Sequence, residues 1–362
     1  MNVKKGFSLL FVCYFLCIQV SFGCTGIIIR TENGSVIPAR TLEFGFDPQS
    51  NILVIPKGTS INFLSSVNNK DGYKMKAKYG FAGMNAVGKH IVVDGINEAG
   101  LYLGSFYFSG YAVYEELTTS NQSKAVSSEE MGNFVLGSFA TVEEVKAGLK
   151  DITVVGTFMK QIQGVAPFHY TVTDKSGQSI IIEYSKNGLQ IFDNTVQVIT
   201  NNPSYDWHLT NLRNYINLTP DNVGGIKLNG ETYAPLSEGT GMVGLPGDFT
   251  SASRFVRASA FVNAAEPCKD EEEGVFRAFH ILNNFDIPIG IVKQKEKNTS
   301  MSEYTVWTSA ADTKNGAYYY KTFKNPTVKK LDLQVALKEA KGKIMVITAE
   351  TPRTYETVTS KS

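Results

Sequence analysis

Two extended segments that begin at a cysteine constrain the fold of this chain more than any other part of its sequence. Residues 24–29 are mostly β-branched, and residues 35–44 form a second extended run. Asn33 and Gly34 lie between them and are the preferred pair of a type I′ hairpin turn. The chain from Cys24 onward is therefore predicted to start as an antiparallel hairpin.

The register of this hairpin decides which side chains lie beside Cys24. An ideal two-residue turn places Glu43 opposite Cys24 and leaves Arg40 opposite Ile27, on the other face of the sheet. A one-residue bulge would move Arg40 to the side of the cysteine. The sequence thus predicts a carboxylate next to Cys24 and leaves the position of the arginine open.

Residues 1–23 have the pattern of a secretory signal peptide. Lys4 and Lys5 give a basic start, residues 7–20 form an apolar core, and small residues stand where a leader peptidase reads the chain. An apolar run of about 14 residues is too short for a comfortable membrane span. Cleavage after residue 23 would make Cys24 the first residue of an exported chain, either periplasmic or extracellular.

A cysteine directly after a signal has a second explanation, which is lipid attachment in a bacterial lipoprotein. Lipoprotein signals favour Leu three residues before the cysteine and a small residue next, whereas this chain has Ser21 and Phe22 there. A strand-like run also follows Cys24 at once, without a polar tether. The sequence favours a chain without a stable membrane anchor, and a lipid-anchored, non-catalytic surface protein remains the alternative from a different class.

The composition excludes several classes of protein. Lys and Arg number 35 against 34 Asp and Glu, so no basic excess attracts nucleic acid. Cys13 and Cys17 belong to the signal, so only Cys24 and Cys268 remain and a disulfide framework is not expected, although a bond between these two stays open. No zinc-ligand spacing is present. Residues 24–362 show no linker or repeat and are predicted to form one soluble domain without a metal or cofactor.

The rest of the chain alternates between extended and helical patterns. Predicted helices cover residues 127–139, 141–150, 206–217, 251–265 and 274–284. Predicted strands cover residues 52–55, 90–94 and 101–108, a meander over 168–199 with its last strand at 195–200, and a hairpin from 304 to 323. The most polar stretch, residues 118–130, is predicted to be a surface loop leading into the first helix. This order favours two sheets covered by helices.

Cys24 would carry two reactive groups once the signal is removed. An unperturbed thiol has a pKa of about 8.5 and an α-amino group one of about 7.7–8.0, so both exchange protons near neutral pH. A nearby arginine favours the thiolate and disfavours the ammonium, which lowers both pKa values. The free amine can accept the thiol proton and later deliver it to a leaving amine, without a histidine. This chemistry predicts an amidase; the alternative is a cysteine that packs as a small hydrophobic residue.

Other chemical motifs in the sequence are weaker. Gly239, Gly241 and Gly244 match a dinucleotide-binding pattern, but no apolar strand precedes them and a Pro-Gly-Asp segment separates them from the next helix. The four histidines lie far apart, and a papain-like Cys/His pair lacks its sequence context. We interpret the glycines as a tight loop near the active site and His280 as a core residue.

Several ordered sequence blocks carry a resemblance to a known family. They are CTG from residue 24, RTLE from 40, DGINEAGL from 94, ITNNP from 199, YDWH from 205, GTGMVGLPGDFT from 239, SRF from 253 and HILNN from 280. With these blocks, the chain resembles the choloylglycine hydrolases, the bile salt hydrolase and penicillin V acylase group of N-terminal nucleophile hydrolases. The resemblance covers nearly all of residues 24–330. It implies an α+β fold, an αββα sandwich of two stacked antiparallel sheets between helical layers, commonly assembled as a homotetramer.

The resemblance also implies roles for individual residues. The implied catalytic set is Cys24, Arg40, Glu43, Tyr107, Asn201 and Arg254. Cys24 is then nucleophile and base, and Glu43 is expected to hold its α-amino group. The side-chain amide of Asn201 and the backbone N–H of Tyr107 are expected to face the oxyanion, while Arg254 tunes the thiol and orients its neighbours. Loops near Leu42 and Tyr107 are expected to line the pocket for the acyl group.

Two departures from the family pattern affect the substrate more than the chemistry. Glu43 stands where the family usually has Asp, and Tyr107 stands where many bile salt hydrolases have Asn and penicillin V acylases have Tyr. The expected substrate is a small-molecule amide, with glycine- or taurine-conjugated bile salts first. Penicillin V, other N-acyl amides and acyl-homoserine lactones remain alternatives.

Overall fold

The computed structural model describes residues 23–64, 70–295 and 300–359. Apart from Gly23, the predicted signal peptide lies outside the described residues. Gly23 is still joined to Cys24, so the structure shows the chain before any cleavage at that bond.

Strands make up most of the regular structure. They are β1 (Cys24–Arg30), β2 (Val36–Phe44), β3 (Ile52–Ile55), β4 (Ser60–Asn62), β5 (Lys74–Lys76), β6 (Phe81–Asn85), β7 (Val92–Asn97), β8 (Tyr102–Tyr107), β9 (Ala125–Ser127), β10 (Thr153–Val155), β11 (Phe158–Met159), β12 (Gly164–Val165), β13 (Phe168–Thr173), β14 (Ser179–Ser185), β15 (Gly188–Asp193), β16 (Val198–Ile199), β17 (Ile226–Leu228), β18 (Glu231–Tyr233), β19 (Val292–Lys295), β20 (Ser300–Asp312), β21 (Ala317–Thr322), β22 (Lys329–Asp332) and β23 (Met345–Ile347).

The helices within the described residues are short to medium in length. They are α1 (Met131–Ser138), α2 (Val142–Gly148), α3 (Tyr205–Leu212), α4 (Ser251–Ala264), α5 (Glu271–Leu282) and α6 (Leu333–Glu339). Short 3-10 turns occur at Gln122–Lys124, Ser128–Glu130, Arg213–Tyr215, Thr240–Met242 and Asn283–Phe285. None of these helices has the length and apolar character that crossing a membrane requires.

Two large antiparallel sheets stack between helical layers. The first has the strand order β16-β1-β2-β20-β21-β22, with β19 also paired to β20, and the second has the order β15-β14-β13-β8-β7-β6-β3-β23. Helices α4 and α5 pack on the first sheet, α1 and α6 pack on the second, and β1 contacts β8 between the sheets. The predicted αββα sandwich is thereby confirmed.

Alternation along β1 and β2 gives the first sheet two different faces. The helix-facing side is apolar and packs under α4 and α5, with Ile27, Ile29 and Ile37 against Phe255 and Phe279. The opposite side faces the second sheet and carries Cys24 and Arg40. This division leaves Cys24 between the sheets.

Gly26 allows β1 to lie unusually close to its neighbours. A Cβ atom at this position would come within 2.6 Å of a Phe106 ring carbon and 2.7 Å of a methyl carbon of Ile199. Since Gly26 shares its face with Cys24, two residues earlier, the same close approach brings the cysteine to the interface between the sheets.

The prediction of a surface loop over residues 118–130 is wrong in its second half. Residues 125–127 form β9, which pairs in parallel with β10, and both Glu129 and Glu130 are buried. The burial is tolerated because the carboxylates are hydrogen-bonded: Glu130 accepts from the Leu64 amide and the Ser127 hydroxyl. The strand predicted over 195–200 is likewise shorter, covering only Val198–Ile199.

Candidate active site

The observed hairpin register brings Arg40 to the side of Cys24. Cys24 pairs with Leu42 and Gly26 pairs with Arg40, so the ideal register that placed Glu43 opposite the cysteine is wrong by one residue. The alternative that the sequence left open is the one observed: one extra residue between the strands places Arg40 on the same face as Cys24.

The cause of this shift is a turn longer than the Asn-Gly pair alone implies. Strand pairing ends at Arg30 and Val36, and the Thr31 amide donates to the Ser35 carbonyl at 3.0 Å. The Thr31 hydroxyl accepts from the Ser35 amide at 2.9 Å. The backbone bond and the side-chain bond between Thr31 and Ser35 stabilise a five-residue connection in place of a two-residue turn.

Arg40 is fully buried and is aimed at the thiol by three hydrogen bonds. Its Nη2 donates to Cys24 Sγ at 2.9 Å, its Nη1 donates to the Ser105 carbonyl, and its Nε donates to the Thr41 carbonyl at 3.2 Å. The guanidinium also lies over the Phe106 ring, 4.0 Å from the ring centroid. These hydrogen bonds and the ring contact hold the cation beside the sulfur.

Burial and charge act in opposite directions on the thiol. Burial raises the pKa of Cys24 above its ordinary value, and the positive charge of Arg40 opposes that increase. The negative charge of Glu43 raises the pKa further, while Arg254 lowers it. Burial prevails, so a neutral thiol is the stable form at neutral pH and a proton acceptor is needed to generate the nucleophile.

Asn201 holds the backbone nitrogen of Cys24. Its Oδ1 accepts from Cys24 N at 2.8 Å and from Arg254 Nη2 at 2.7 Å, while its Nδ2 donates to the Tyr107 carbonyl at 2.9 Å. An amide nitrogen carries two hydrogens, so the Tyr107 bond occupies one of them. The second is available for an oxygen atom that arrives next to Cys24.

Arg254 contacts the surroundings of the sulfur and not the sulfur itself. From α4 it donates through Nη1 to the Cys24 carbonyl and to Thr25 Oγ1 at 3.0 Å, and through Nε to the Phe249 carbonyl at 2.9 Å. Together with its bond to Asn201, these contacts tie the ends of two sheet strands to one helix. These hydrogen bonds are the geometric basis for the orienting role expected of Arg254. Its positive charge lowers the pKa of the Cys24 thiol, which is the basis for the expected tuning.

Glu43 lies beside the peptide bond that precedes Cys24. Its amide donates to the Gly23 carbonyl at 3.0 Å, and its Oε1 accepts from Thr305 Oγ1 at 2.8 Å. Burial raises the pKa of Glu43 to about 7, against the opposing charge of Arg254. In the uncleaved chain the Cys24 nitrogen donates to Asn201 and not to Glu43. Glu43 Oε2 has no hydrogen-bond partner among the described residues.

Two buried histidines support the loop that carries Asn201. His208 Nε2 lies 3.0 Å from the Asn201 carbonyl and its ring stacks on Phe255, while His169 Nε2 lies 3.1 Å from the Thr200 carbonyl. Burial lowers the pKa of His208 to about 4, so the ring is neutral near pH 7. Sequence reasoning did not assign these residues a role, because their backbone partners, and the Glu183 carboxylate that lies 3.2 Å from His169 Nδ1, follow no motif.

A narrow apolar cavity lies next to Cys24. Its walls are mostly hydrophobic and include Leu42, Phe44, Ile91, Val93, Met159 and Phe168. Tyr107 lines it too, with its ring 5.7 Å from Phe44 and 5.1 Å from Phe168. Both residues expected at the acyl pocket, Leu42 and Tyr107, therefore lie on the same cavity as the thiol.

The sequence did not predict one acidic residue near the site, and it did not decide whether Cys24 and Cys268 form a disulfide. Glu303 on β20 is buried beside Arg254, and burial raises its pKa to about 7; no sequence pattern marks it. Cys24 and Cys268 are both free and buried, so the disulfide that the sequence left open is not formed. Within the described residues, no group of three or more His, Cys, Asp or Glu side chains is arranged to hold a metal ion.

Comparisons with known proteins agree on one family. Residues 24–344 match the linear amide C–N hydrolases of the choloylglycine hydrolase family. A bile salt hydrolase/transferase of Clostridium perfringens is 33% identical over 316 residues, covering 86% of this chain and 92% of that protein. The crystal structure of a mutant conjugated bile acid hydrolase from Clostridium perfringens matches with a TM-score of 0.82 at 30% identity, over 93% of this chain and all of the other. A penicillin V acylase from Agrobacterium tumefaciens matches with a TM-score of 0.68 at 26% identity, over 86% of each chain.

Proposed function

Because the chain belongs to the choloylglycine hydrolase family of linear amide C–N hydrolases, we propose that it cleaves glycine- or taurine-conjugated bile salts with Cys24 as the nucleophile. The observation that carries this proposal is the Cys24 thiol itself, which receives a hydrogen bond from Arg40 at 2.9 Å and lies on an apolar cavity. Relatives that bear the names of bile salt hydrolases support the choice of substrate.

The first step of the proposed reaction needs a free α-amino group on Cys24. Removal of residues 1–23 would turn the nitrogen that now bonds Asn201 at 2.8 Å into that amine. The amine takes the thiol proton, and the sulfur attacks the amide carbon of the substrate. Arg40 stabilises the thiolate that forms, since its guanidinium already points at Sγ.

The carbonyl oxygen of the substrate becomes an oxyanion in this attack. The second hydrogen of Asn201 Nδ2 and the backbone N–H of Tyr107 are the proposed donors to it. The α-ammonium then passes its proton to the leaving glycine or taurine nitrogen, the C–N bond breaks, and a thioester to Cys24 remains. Water attacks the thioester and releases the acid, which restores the thiol and the free amine.

The acyl half of the substrate would occupy the cavity beside Cys24. A sterol body is large, rigid and apolar, and its burial against Phe44, Val93 and Phe168 would stabilise the complex at roughly 25 cal/mol per Å² of apolar surface removed from water. The charged glycine or taurine end would stay outside, toward solvent.

A penicillin V acylase is the second candidate function, and Tyr107 favours it. In the resemblance described above, the penicillin V acylases carry Tyr at this position, and one such enzyme shares the fold. Purified enzyme should be assayed side by side with taurocholate, glycocholate and phenoxymethylpenicillin, with Cys24→Ala as the blank. Cleavage of the bile salts supports the first proposal, and penicillin turnover without bile salt cleavage refutes it.

We further propose that the protein is exported, cleaved ahead of Cys24 and assembled as a homotetramer. Intact-mass analysis of the protein purified from cells tests the cleavage. A mass that starts at Cys24 without an adduct supports it, whereas a diacylglyceryl adduct on Cys24 favours the lipid-anchored alternative. Light scattering of the same sample measures the assembly.

A further inference from the structure

A buried acidic residue is part of the otherwise apolar lining of the cavity beside Cys24. Glu129 lies on the 3-10 turn Ser128–Glu130 at the start of α1, is 1% exposed and lines the cavity. Of the described residues that line it, Glu129 alone carries a carboxyl group. Hydrophobic packing alone does not call for an acid here.

The hydrogen bonds of Glu129 hold the carboxylate in place and leave acceptor capacity. Oε1 accepts from Thr157 Oγ1 at 2.5 Å, and Oε2 lies 3.1 Å from Ser128 Oγ, whose single hydrogen is shared with the Ala166 carbonyl at 2.9 Å. An ionised carboxylate has about four acceptor positions, and the two hydroxyls together with the backbone amide of Glu129 leave one of them. Within the described residues, no Lys, Arg or His forms an ion pair with Glu129.

Burying this carboxylate costs free energy. Burial raises the pKa of Glu129, which reflects how poorly its charge is solvated. A hydroxyl group placed against the carboxylate would relieve part of that cost by donating a charge-assisted hydrogen bond. An acyl group of the same shape without the hydroxyl would bury the carboxylate and leave it without that bond.

We propose that Glu129 binds a hydroxyl group on the acyl half of the substrate and thereby selects hydroxylated acyl groups over unsubstituted ones. The inference rests on the proposed function, because it assigns the acyl half to this cavity. It makes Glu129 a specificity-determining residue, remote from the bond that is cleaved. Hydroxylated sterol acids are the substrate class that fits an apolar wall with one acceptor set into it.

The neighbouring Glu130 provides a matched control. It is equally well buried, at 3% exposure, but its carboxylate bonds the Leu64 amide and Ser127 and does not line the cavity. A change at Glu130 therefore reports what losing a buried acid does to the fold. A change at Glu129 adds the effect on the cavity.

The experiment compares kcat/KM for the glycine conjugates of cholic, deoxycholic, lithocholic and hydroxyl-free cholanic acid. The proteins are the wild type, Glu129→Met, Glu129→Gln and the control Glu130→Gln. We expect the preference for hydroxylated over hydroxyl-free substrate to fall about 10- to 150-fold in Glu129→Met, as loss of a hydrogen bond to a charged group implies. Glu129→Gln should retain part of the preference, and Glu130→Gln should retain all of it.

A purely structural role for Glu129 predicts a different result. Activity would then fall by one common factor for all four substrates, and an unchanged ratio in Glu129→Met overturns the proposal. If that variant does not fold, the wild type decides alone, since equal cleavage of the hydroxylated and hydroxyl-free conjugates overturns the proposal as well.

Failure of the bile salt assignment is separable from failure of this inference. If the wild type cleaves none of the four conjugates, the proposed function is refuted. The same proteins are then compared on N-stearoylglycine and N-(12-hydroxystearoyl)glycine, which differ only in the acyl hydroxyl. A preference for the hydroxylated amide that Glu129→Met removes supports the inference; absence of that preference, or turnover of neither amide, overturns it.

Discussion

Replacing Arg40 by Met would test whether the guanidinium beside the thiol activates it. The change removes the 2.9 Å hydrogen bond to Cys24 Sγ and the bond to the Ser105 carbonyl, while the apolar stem of Met can still pack on Phe106. A hydrogen bond to a charged group contributes about 1.5–3 kcal/mol, so kcat/KM should fall about 10- to 150-fold.

The pH dependence of kcat/KM gives a second readout for Arg40→Met. The positive charge of Arg40 lowers the thiol pKa against the effect of burial. By the same electrostatics it disfavours the α-ammonium, so its removal raises both pKa values. The acid limb of the pH profile should therefore move to higher pH in the variant.

Arg257→Met is the matched control for this experiment. Arg257 lies on α4 and, like Arg40, is buried. Its Nη1 donates to the carbonyls of Pro246 and Asp248 and not to the thiol. Glycocholate hydrolysis should be measured from pH 4 to 9, with thermal unfolding of each variant alongside. A folded Arg40→Met protein with kcat/KM within about threefold of wild type and an unmoved acid limb would refute the assigned role.

Three further changes probe the groups around Cys24. Asn201→Ala should lower kcat by roughly 10²–10³, the effect of removing one oxyanion donor, in a protein that still folds by circular dichroism; near-normal kcat would contradict the proposed oxyanion role. A chain that retains Gly23 ahead of Cys24 lacks the α-amino base and should be at least about 100-fold slower than the cleaved chain, so equal rates would exclude the amine as base. In that uncleaved chain, burial raises the pKa of Glu43 to about 7 from 4.5. The folded state then binds more protons between these values, so Glu43 contributes roughly 3 kcal/mol of stability that is fully present below pH 4.5 and is lost as the pH rises through 7. Denaturant unfolding should therefore show a smaller loss of stability over this range in Glu43→Gln than in the unsubstituted chain, and an identical loss would count against the shift.

Local sequence patterns predicted the elements of this fold better than the contacts between them. The strand at 52–55 was predicted with its observed bounds, and the helix predicted over residues 141–150 is observed as α2, which Thr141 caps by accepting from the Glu144 amide. The register around Cys24 was missed because Thr31 and Ser35 bond across the turn, and the Asn-Gly rule considers only the central pair.

Long-range hydrogen bonds account for what the sequence did not reveal about the candidate site. The sequence predicted Glu129 in a surface loop, because its hydrogen-bond partner in the buried position is the hydroxyl of Thr157, which lies 28 residues away. The bond of Asn201 to the Tyr107 carbonyl joins residues 94 positions apart, which no local motif encodes. The resemblance to a family identified these two residues as site residues, but only the structure shows that the Asn201 side chain donates to the Tyr107 carbonyl.

The partners of Cys24 come from distant parts of the chain. Arg40 is 16 residues away and arrives with the first hairpin, but Asn201 is 177 residues away, and Arg254, which bonds the Cys24 carbonyl, is 230. Pairings across such separations close late in folding, because the entropy of the intervening loops must be lost first. During refolding, recovery of catalysis should therefore lag behind recovery of strand and helix signals. A newly made chain would carry its sulfur from the outset and become a competent enzyme only when its last third has docked.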